Sequence, residues 1–261
     1  MPIRLGAVSY LNTRPLVYGL DRQGDRFSVR FDVPAQCAAL LHANEVDLGL
    51  MPSIEYIGHD YRIVPGVSIA SEGPVASVAI FSKVAAERMR SIALDISSRA
   101  SQALLRVLCA RWFAIAPDFI NMSPDLQQML RRCDAALVIG DNALFTNHEA
   151  LGLEKIDLGE EWSSMTGLPF VYAFWAGRPG AVSVGDIAAL QDARDKGLGA
   201  TATIGQQSYP DSPEKAARAD RYLREDVRYA LGEREQQGLR RFYELAAEVG
   251  VVPAAAELKF Y

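Results

Sequence analysis

Cysteine and histidine are scarce in this chain, which contains three of each among 261 residues. The cysteines, Cys37, Cys109 and Cys133, are odd in number and widely spaced, so they form neither a disulfide framework nor a metal-ligand pattern. Each lies among apolar neighbours, which predicts buried free thiols and fits a reducing compartment. No histidine has a second histidine or cysteine at helical ligand spacing. We therefore expect no metal site.

Long apolar runs are also absent, since none reaches the roughly 18 residues that cross a bilayer. The chain runs from Met1 directly into a predicted strand, without the charged and apolar regions of a secretory signal peptide. These absences predict a cytoplasmic protein with no membrane partner. Excess positive charge is lacking too, because 27 Lys and Arg residues stand against 32 Asp and Glu residues. This acidic balance argues against binding to nucleic acid.

The chain does contain an alternation of short apolar runs and helical patterns, which begins at its first residues. Ile3 to Val8 predicts a buried strand, and a polar break separates it from an apolar stretch that Pro15 opens. Asn12 or Thr13 suits the N-cap of a helix with Pro15 in its first turn. In open α/β sheets ligands bind beyond the carboxyl ends of the strands. An ordinary strand-to-helix turn is the alternative.

The same alternation continues along the chain and predicts an α/β protein of two lobes with mostly parallel sheets. Apolar strand patterns near Phe81 and Trp175 indicate two crossings between the lobes. We expect one lobe to comprise residues 1–81 and 175–261 and the other to comprise 82–174, as in a clamp with two hinge crossings. A ligand cleft is expected between them.

Two further polar features mark the predicted cleft. Ser97, Ser98 and Ser101 surround Arg99 at the start of a predicted helix, a place suited to a carboxylate or a phosphate. Plain N-capping by Ser98 or Ser101 is the alternative. Ser77 is the one polar side chain in an otherwise apolar strand pattern, where it needs a partner that the backbone could supply.

Six segments together resemble a known family. They are SYLNTRPL at 9–16, DLGLMPS at 47–53, GPVAS at 73–77, SSRAS at 97–101, LVIGDNAL at 137–144 and WSSMTGLPFVYAFWA at 162–176. In this order and spacing they resemble the chorismate dehydratases of menaquinone biosynthesis by the futalosine route. The resemblance implies a periplasmic-binding-protein-like fold (type II) in a cytoplasmic enzyme. It also implies that chorismate loses water to give 3-[(1-carboxyvinyl)oxy]benzoate.

The resemblance also implies which residues act. The family's functional positions fall on Asn12 and Ser77. The remaining expected substrate-binding residues are Ser9, Tyr10, Ser53, Ser97, Ser98, Ser101, Asp141 and Asn142. Chorismate is a dianion whose conversion yields an aromatic ring, so we expect placement and electrostatics to suffice without a cofactor.

The proton acceptor and two other functions stay open. An amide does not ionise, so Asn12 cannot be the base, and we favour the substrate's own side-chain carboxylate over Asp141 or Glu72. The alternatives to a dehydratase are a sister lyase that makes 1,4-dihydroxy-6-naphthoate from cyclic dehypoxanthine futalosine, and a non-catalytic carboxylate-binding module. The sequence does not indicate an oligomeric state.

Overall fold

The structure, a computed structural model, describes all residues from 1 to 261 and contains two five-stranded sheets. The strands of the first sheet are β1 (Ile3–Val8), β2 (Phe27–Asp32), β3 (Leu48–Pro52), β4 (Arg62–Ser71) and β10 (Phe170–Gly177). Those of the second are β5 (Val78–Ser82), β6 (Ser91–Asp95), β7 (Asp118–Met122), β8 (Ala135–Ile139) and β9 (Glu154–Asp157). Most are short and apolar, as expected for strands covered on both faces.

Both sheets share one topology. Their strand orders are β2-β1-β3-β10-β4 and β7-β6-β8-β5-β9. In the first sheet β10 is antiparallel to both of its neighbours, and in the second β5 is antiparallel to both of its own. The other four strands of each sheet therefore point the same way, and the expectation of mostly parallel sheets is confirmed.

The chain changes sheet twice, and each change supplies one of the antiparallel strands. It leaves the first sheet after Ser71 and enters the second at Val78, then returns between Asp157 and Phe170. Strand β5 thus belongs to the second sheet and β10 to the first, so both changes come earlier in the chain than the predicted boundaries at 81 and 175. The division into two separate lobes stays a prediction.

Nine α-helices cover the sheets. They are α1 (Pro34–His42), α2 (Arg99–Arg111), α3 (Leu126–Arg132), α4 (Gly140–Phe145), α5 (Leu158–Thr166), α6 (Val184–Leu198), α7 (Thr201–Ser208), α8 (Pro213–Arg221) and α9 (Glu233–Glu248). Short 3₁₀ segments lie at Leu11–Val17, Asp21–Gln23, Ser53–Tyr56 and Ala86–Arg88, and a π-helical turn lies at Tyr222–Asp226. No helix combines the length and apolar character needed to cross a membrane.

The first turn differs from its prediction. Instead of a helix capped by Asn12 or Thr13, a 3₁₀ segment follows directly after Tyr10, and no side chain caps it. Pro15 lies inside the segment rather than in the first turn of a regular helix. Close contact with α6 accounts for this path, because a Cβ on Gly197 would meet the backbone of Pro15 at 2.3 Å.

The main apolar core extends across both sheets, and a smaller cluster around Phe81 and Met129 lies on the second sheet. Cys37, Cys109 and Cys133 are buried and free, as predicted. Burial raises the pKa of the Cys37 and Cys109 thiols to about 12 in each case. These thiols are packing residues in their neutral form.

Candidate active site

A cavity lies between the two sheets. Its walls come from the carboxyl ends of β1, β3 and β8, the start of α2, and parts of β4, β5 and β10. The lining residues are Val8, Tyr10, Asn12, Pro34, Pro52, Ile69, Val75, Ser77, Val78, Ser98, Ala100, Ser101, Ile139, Gly140, Tyr172 and Ala173. Five of the predicted site residues, Tyr10, Asn12, Ser77, Ser98 and Ser101, therefore meet at one place.

Asn12 enters the cavity from the 3₁₀ segment that follows β1. Its Oδ1 atom is buried and has no hydrogen-bond partner in the protein. A buried polar atom left without a partner costs roughly 1–3 kcal/mol. Because Asn12 Oδ1 lies on the cavity wall, it is suited to accept a hydrogen bond from a bound ligand.

Ser77 lies just before β5 and is only 1% exposed. Its hydroxyl is 2.7 Å from the hydroxyl of Tyr222, which is equally buried. The partner of Ser77 is therefore a side chain from the far end of the sequence, and the alternative of a backbone partner is not realised. Tyr222 was missed because it looks like one more apolar position of a helix. The sequence offers one indication of its role, because a tyrosine on the apolar face of a helix carries a hydroxyl that needs a hydrogen-bond partner when buried.

The residue before Ser77 has an unusual backbone. Ala76 has a φ of 62°, in the left-handed region that side chains other than glycine disfavour. Asp157 accepts hydrogen bonds from the N–H groups of Val75 and Ala76, and the Lys155 ammonium donates to the Ala76 carbonyl at 2.8 Å. Such strain persists only where surrounding contacts enforce it, and it concentrates at functional sites. Lys155 and Asp157 were not predicted from the sequence.

The start of α2 brings two hydroxyl groups to the cavity. Ser98 occupies the N-cap position, but its side chain caps no backbone N–H and instead donates to Ser101 Oγ at 2.8 Å. The predicted alternative of side-chain capping by Ser98 is therefore not realised. The N–H groups of the first helical turn have no intrahelical acceptor, and they carry partial positive charge. This end of the cavity suits an anion.

Two predicted residues link the sheets without lining the cavity. The Ser97 hydroxyl donates to the Asp95 carboxylate at 2.6 Å, which commits its only proton, so it accepts from Tyr10 at 3.3 Å. Asp141 accepts from the Leu11 N–H at 3.1 Å and from the Tyr209 hydroxyl at 3.3 Å. Burial raises the pKa of Asp141, and these hydrogen bonds oppose that rise.

Three other predicted residues also lie off the cavity wall. Ser9 and Asn142 are exposed, whereas Ser53 is fully buried and its carbonyl accepts a hydrogen bond from Tyr243. Their expected contacts with substrate stay a prediction.

Few titratable groups line the cavity. The lining includes no carboxylate, histidine, amine or thiol, and only Tyr10 and Tyr172 titrate. Burial raises the pKa of both phenols, so both are neutral near pH 7. Glu72, a predicted rival base, is exposed and pairs with Arg234 at 2.6 Å. The cavity therefore offers hydrogen-bond donors and acceptors but no side chain suited to abstract a proton.

Comparisons with known proteins agree with this architecture. A solved structure from Archaeoglobus fulgidus is similar with a TM-score of 0.76 at 19% identity, over 96% of this chain and 98% of that one. A Candida albicans protein, described as having the generic periplasmic binding protein fold, is similar with a TM-score of 0.66 at 12% identity, over 98% and 92%. At these identities the likeness concerns the fold alone. It confirms the predicted fold class.

Comparisons of sequence give more specific information than these comparisons of structure. The chorismate dehydratase of Thermus thermophilus is 32% identical over 265 residues, which cover 93% of this chain and 94% of that protein. A family model described as menaquinone biosynthesis matches residues 3–248. This match covers nearly all of the chain, including every residue of the cavity wall. The chain belongs to the menaquinone biosynthesis family.

Proposed function

We propose that this protein is a chorismate dehydratase, a hydro-lyase that converts chorismate into 3-[(1-carboxyvinyl)oxy]benzoate and water. The observation that carries the proposal is the cavity itself. It joins Asn12 and Ser77 with the hydroxyl-bearing start of α2 and holds no side-chain base. The family membership and the Thermus relative support the same substrate.

The start of α2 suits one carboxylate of this dianion. Free N–H groups and the hydroxyls of Ser98 and Ser101 bind a carboxylate without a cationic side chain. The only nearby cation of that turn, Arg99, pairs instead with Glu55 at 2.9 Å. The second carboxylate, on the enolpyruvyl side chain, is then left available inside the cavity.

The reaction begins with loss of the proton from the ring carbon that bears the enolpyruvyl ether. As that C–H bond breaks, its electron pair enters the ring and is shared with the ring carboxylate through the conjugated double bond. Donors aimed at the ring carboxylate therefore stabilise the transition state more than the ground state. The neighbouring C–O bond then breaks, the hydroxyl departs with a proton as water, and the ring becomes aromatic.

The acceptor of the first proton is the substrate's own side-chain carboxylate. Asp141 is engaged by Leu11 and Tyr209, and Glu72 is on the surface. Asn12 and Ser77 then hold the carboxylate and the departing hydroxyl in place. Proximity of this kind replaces an encounter in solution and is worth several kcal/mol of the barrier.

The test is to incubate the purified protein with chorismate and to follow products by chromatography and ultraviolet absorption. We expect 3-[(1-carboxyvinyl)oxy]benzoate to form, with a fall of ~10²-fold or more in kcat for Asn12→Ala. Asn121→Ala is the matched control, since Asn121 is exposed on strand β7 and does not line the cavity. Binding of chorismate without turnover would instead indicate a carrier. Turnover of cyclic dehypoxanthine futalosine alone would indicate the sister lyase.

A further inference from the structure

Tyr222 contacts Ser77 but does not itself line the cavity. It is 1% exposed and begins the π-helical turn Tyr222–Asp226, in which α8 ends. π-helical turns interrupt regular helices at a cost and are frequent at functional sites. Here the turn places a phenol from position 222 against a serine from position 77.

Ser77 and Tyr222 are each other's only side-chain hydrogen-bond partner in the protein. Burial raises the pKa of Tyr222 above that of a free tyrosine, and so this phenol keeps its proton. A buried phenolic O–H needs an acceptor, and Ser77 Oγ at 2.7 Å is the acceptor within reach. If Tyr222 donates to Ser77, the single proton of Ser77 is free to point elsewhere.

Asn12 lies on the wall of the same cavity as Ser77. Its buried Oδ1 has no hydrogen-bond partner in the protein, so this atom is free to accept a hydrogen bond from a ligand.

We propose that Tyr222 is a positioning residue that orients Ser77 as a hydrogen-bond donor toward the substrate. Ser77 then donates to the departing hydroxyl or to a carboxylate, and Asn12 Oδ1 accepts from the substrate hydroxyl. The inference rests on the proposed dehydratase activity. It adds a residue from the C-terminal half that none of the six family-like segments contains.

The experiment is a double-mutant cycle on chorismate turnover with Tyr222→Phe, Ser77→Ala and the double variant. Phenylalanine keeps the ring and removes the hydroxyl alone. We expect Tyr222→Phe to lower kcat about tenfold, the value of one lost hydrogen bond, with KM changed less than about twofold. In the Ser77→Ala background the same change should have almost no further effect, because Tyr222 acts through Ser77.

Tyr229→Phe is the matched control. Tyr229 is also buried, but its hydroxyl has no hydrogen-bond partner, so its removal should leave kcat unchanged. Wild-type kcat in Tyr222→Phe would overturn the proposal, as would equal tenfold losses in the presence and absence of Ser77. A wild-type protein that does not convert chorismate would instead overturn the proposed function. Thermal unfolding of each variant identifies any loss that comes from unfolded protein.

Discussion

Gly140 shows how a single backbone position shapes the cavity. It follows β8 with a φ of +64°, and a Cβ at this position would lie 2.9 Å from the ring of Tyr10. This close approach lets the ring of Tyr10, which follows β1 of the first sheet, pack against Gly140, which follows β8 of the second sheet. Glycine is thus required here twice, for its left-handed backbone and for its missing side chain.

Gly140→Ala should therefore displace Tyr10 and weaken substrate binding. We expect KM for chorismate to rise several-fold, together with a loss of roughly 1–2 kcal/mol in the free energy of unfolding from backbone strain. Gly152→Ala is the control, because Gly152 has the same φ of +64° but nothing within 4 Å of its added Cβ. Equal KM values in the two variants would show that the position of the Tyr10 ring against Gly140 does not affect substrate binding.

The residues that the sequence does and does not predict differ in how they reach the site. Asn12 and Ser77 stand in short segments that resemble the family, and the resemblance implies their roles. Tyr222 and Asp157 reach the site only through tertiary contacts, with Tyr222 separated from Ser77 by 145 positions. No local pattern in the sequence encodes such a contact.

Asp157 joins two elements at the second sheet change. It caps α5 by accepting from the N–H groups of Gly159 and Glu160, and it also holds Val75 and Ala76 before β5. One buried carboxylate therefore fixes both the start of a helix and the strained backbone that aims Ser77.

Asp157→Ala should cost roughly 2–4 kcal/mol in the free energy of unfolding, since it leaves several buried N–H groups without an acceptor. The control is Asp125→Ala at the N-cap of α3. Asp125 is exposed and accepts from the Gln128 N–H, so about 1 kcal/mol is expected. Urea titration of both variants measures the difference. If Asp157→Ala lowers the free energy of unfolding no more than Asp125→Ala does, Asp157 does not stabilise the two elements that it joins.

At the level of elements, strands were easier to predict than the first turn. The strands Arg62–Ser71 and Ala135–Ile139 have the length and β-branched content that make a buried strand recognisable in a sequence. The turn after β1 was assigned a regular helix because Asn12, Thr13 and Pro15 are typical of a helix start. Packing of Pro15 against Gly197 decides the path instead, and that contact crosses most of the chain.

At the scale of the whole molecule, three contacts join elements that follow the two sheets. Tyr10 meets Ser97, Leu11 meets Asp141, and Glu55 meets Arg99 at 2.9 Å. All three pairs lie close to the cavity wall. The sequence indicated two sheets with a cleft between them. It could not indicate these contacts, because each joins positions that only the folded chain brings together.

Asp141 makes the stability of the folded protein depend on pH. Burial raises its pKa in the folded protein above the ordinary 3.8. The folded state then binds the proton more tightly than the unfolded state, so the contribution of Asp141 to stability falls as pH rises from 3.8 through the folded pKa. Asp141→Asn keeps an acceptor for Leu11 and removes the charge. We expect the stability of this variant, relative to the wild type, to increase across that window and to be constant above it.

Asp47 provides a control of opposite sign. Its hydrogen bonds with Arg4, one of them at 2.8 Å, lower its pKa in the folded protein, so its contribution is present above the unfolded pKa and is lost as pH falls. The wild type should therefore gain stability over Asp47→Asn with rising pH, whereas it loses stability relative to Asp141→Asn. Urea unfolding of the three proteins between pH 3 and pH 7 measures both trends. Parallel curves for Asp141→Asn and the wild type would show that burial does not raise the pKa of this carboxyl in the folded protein.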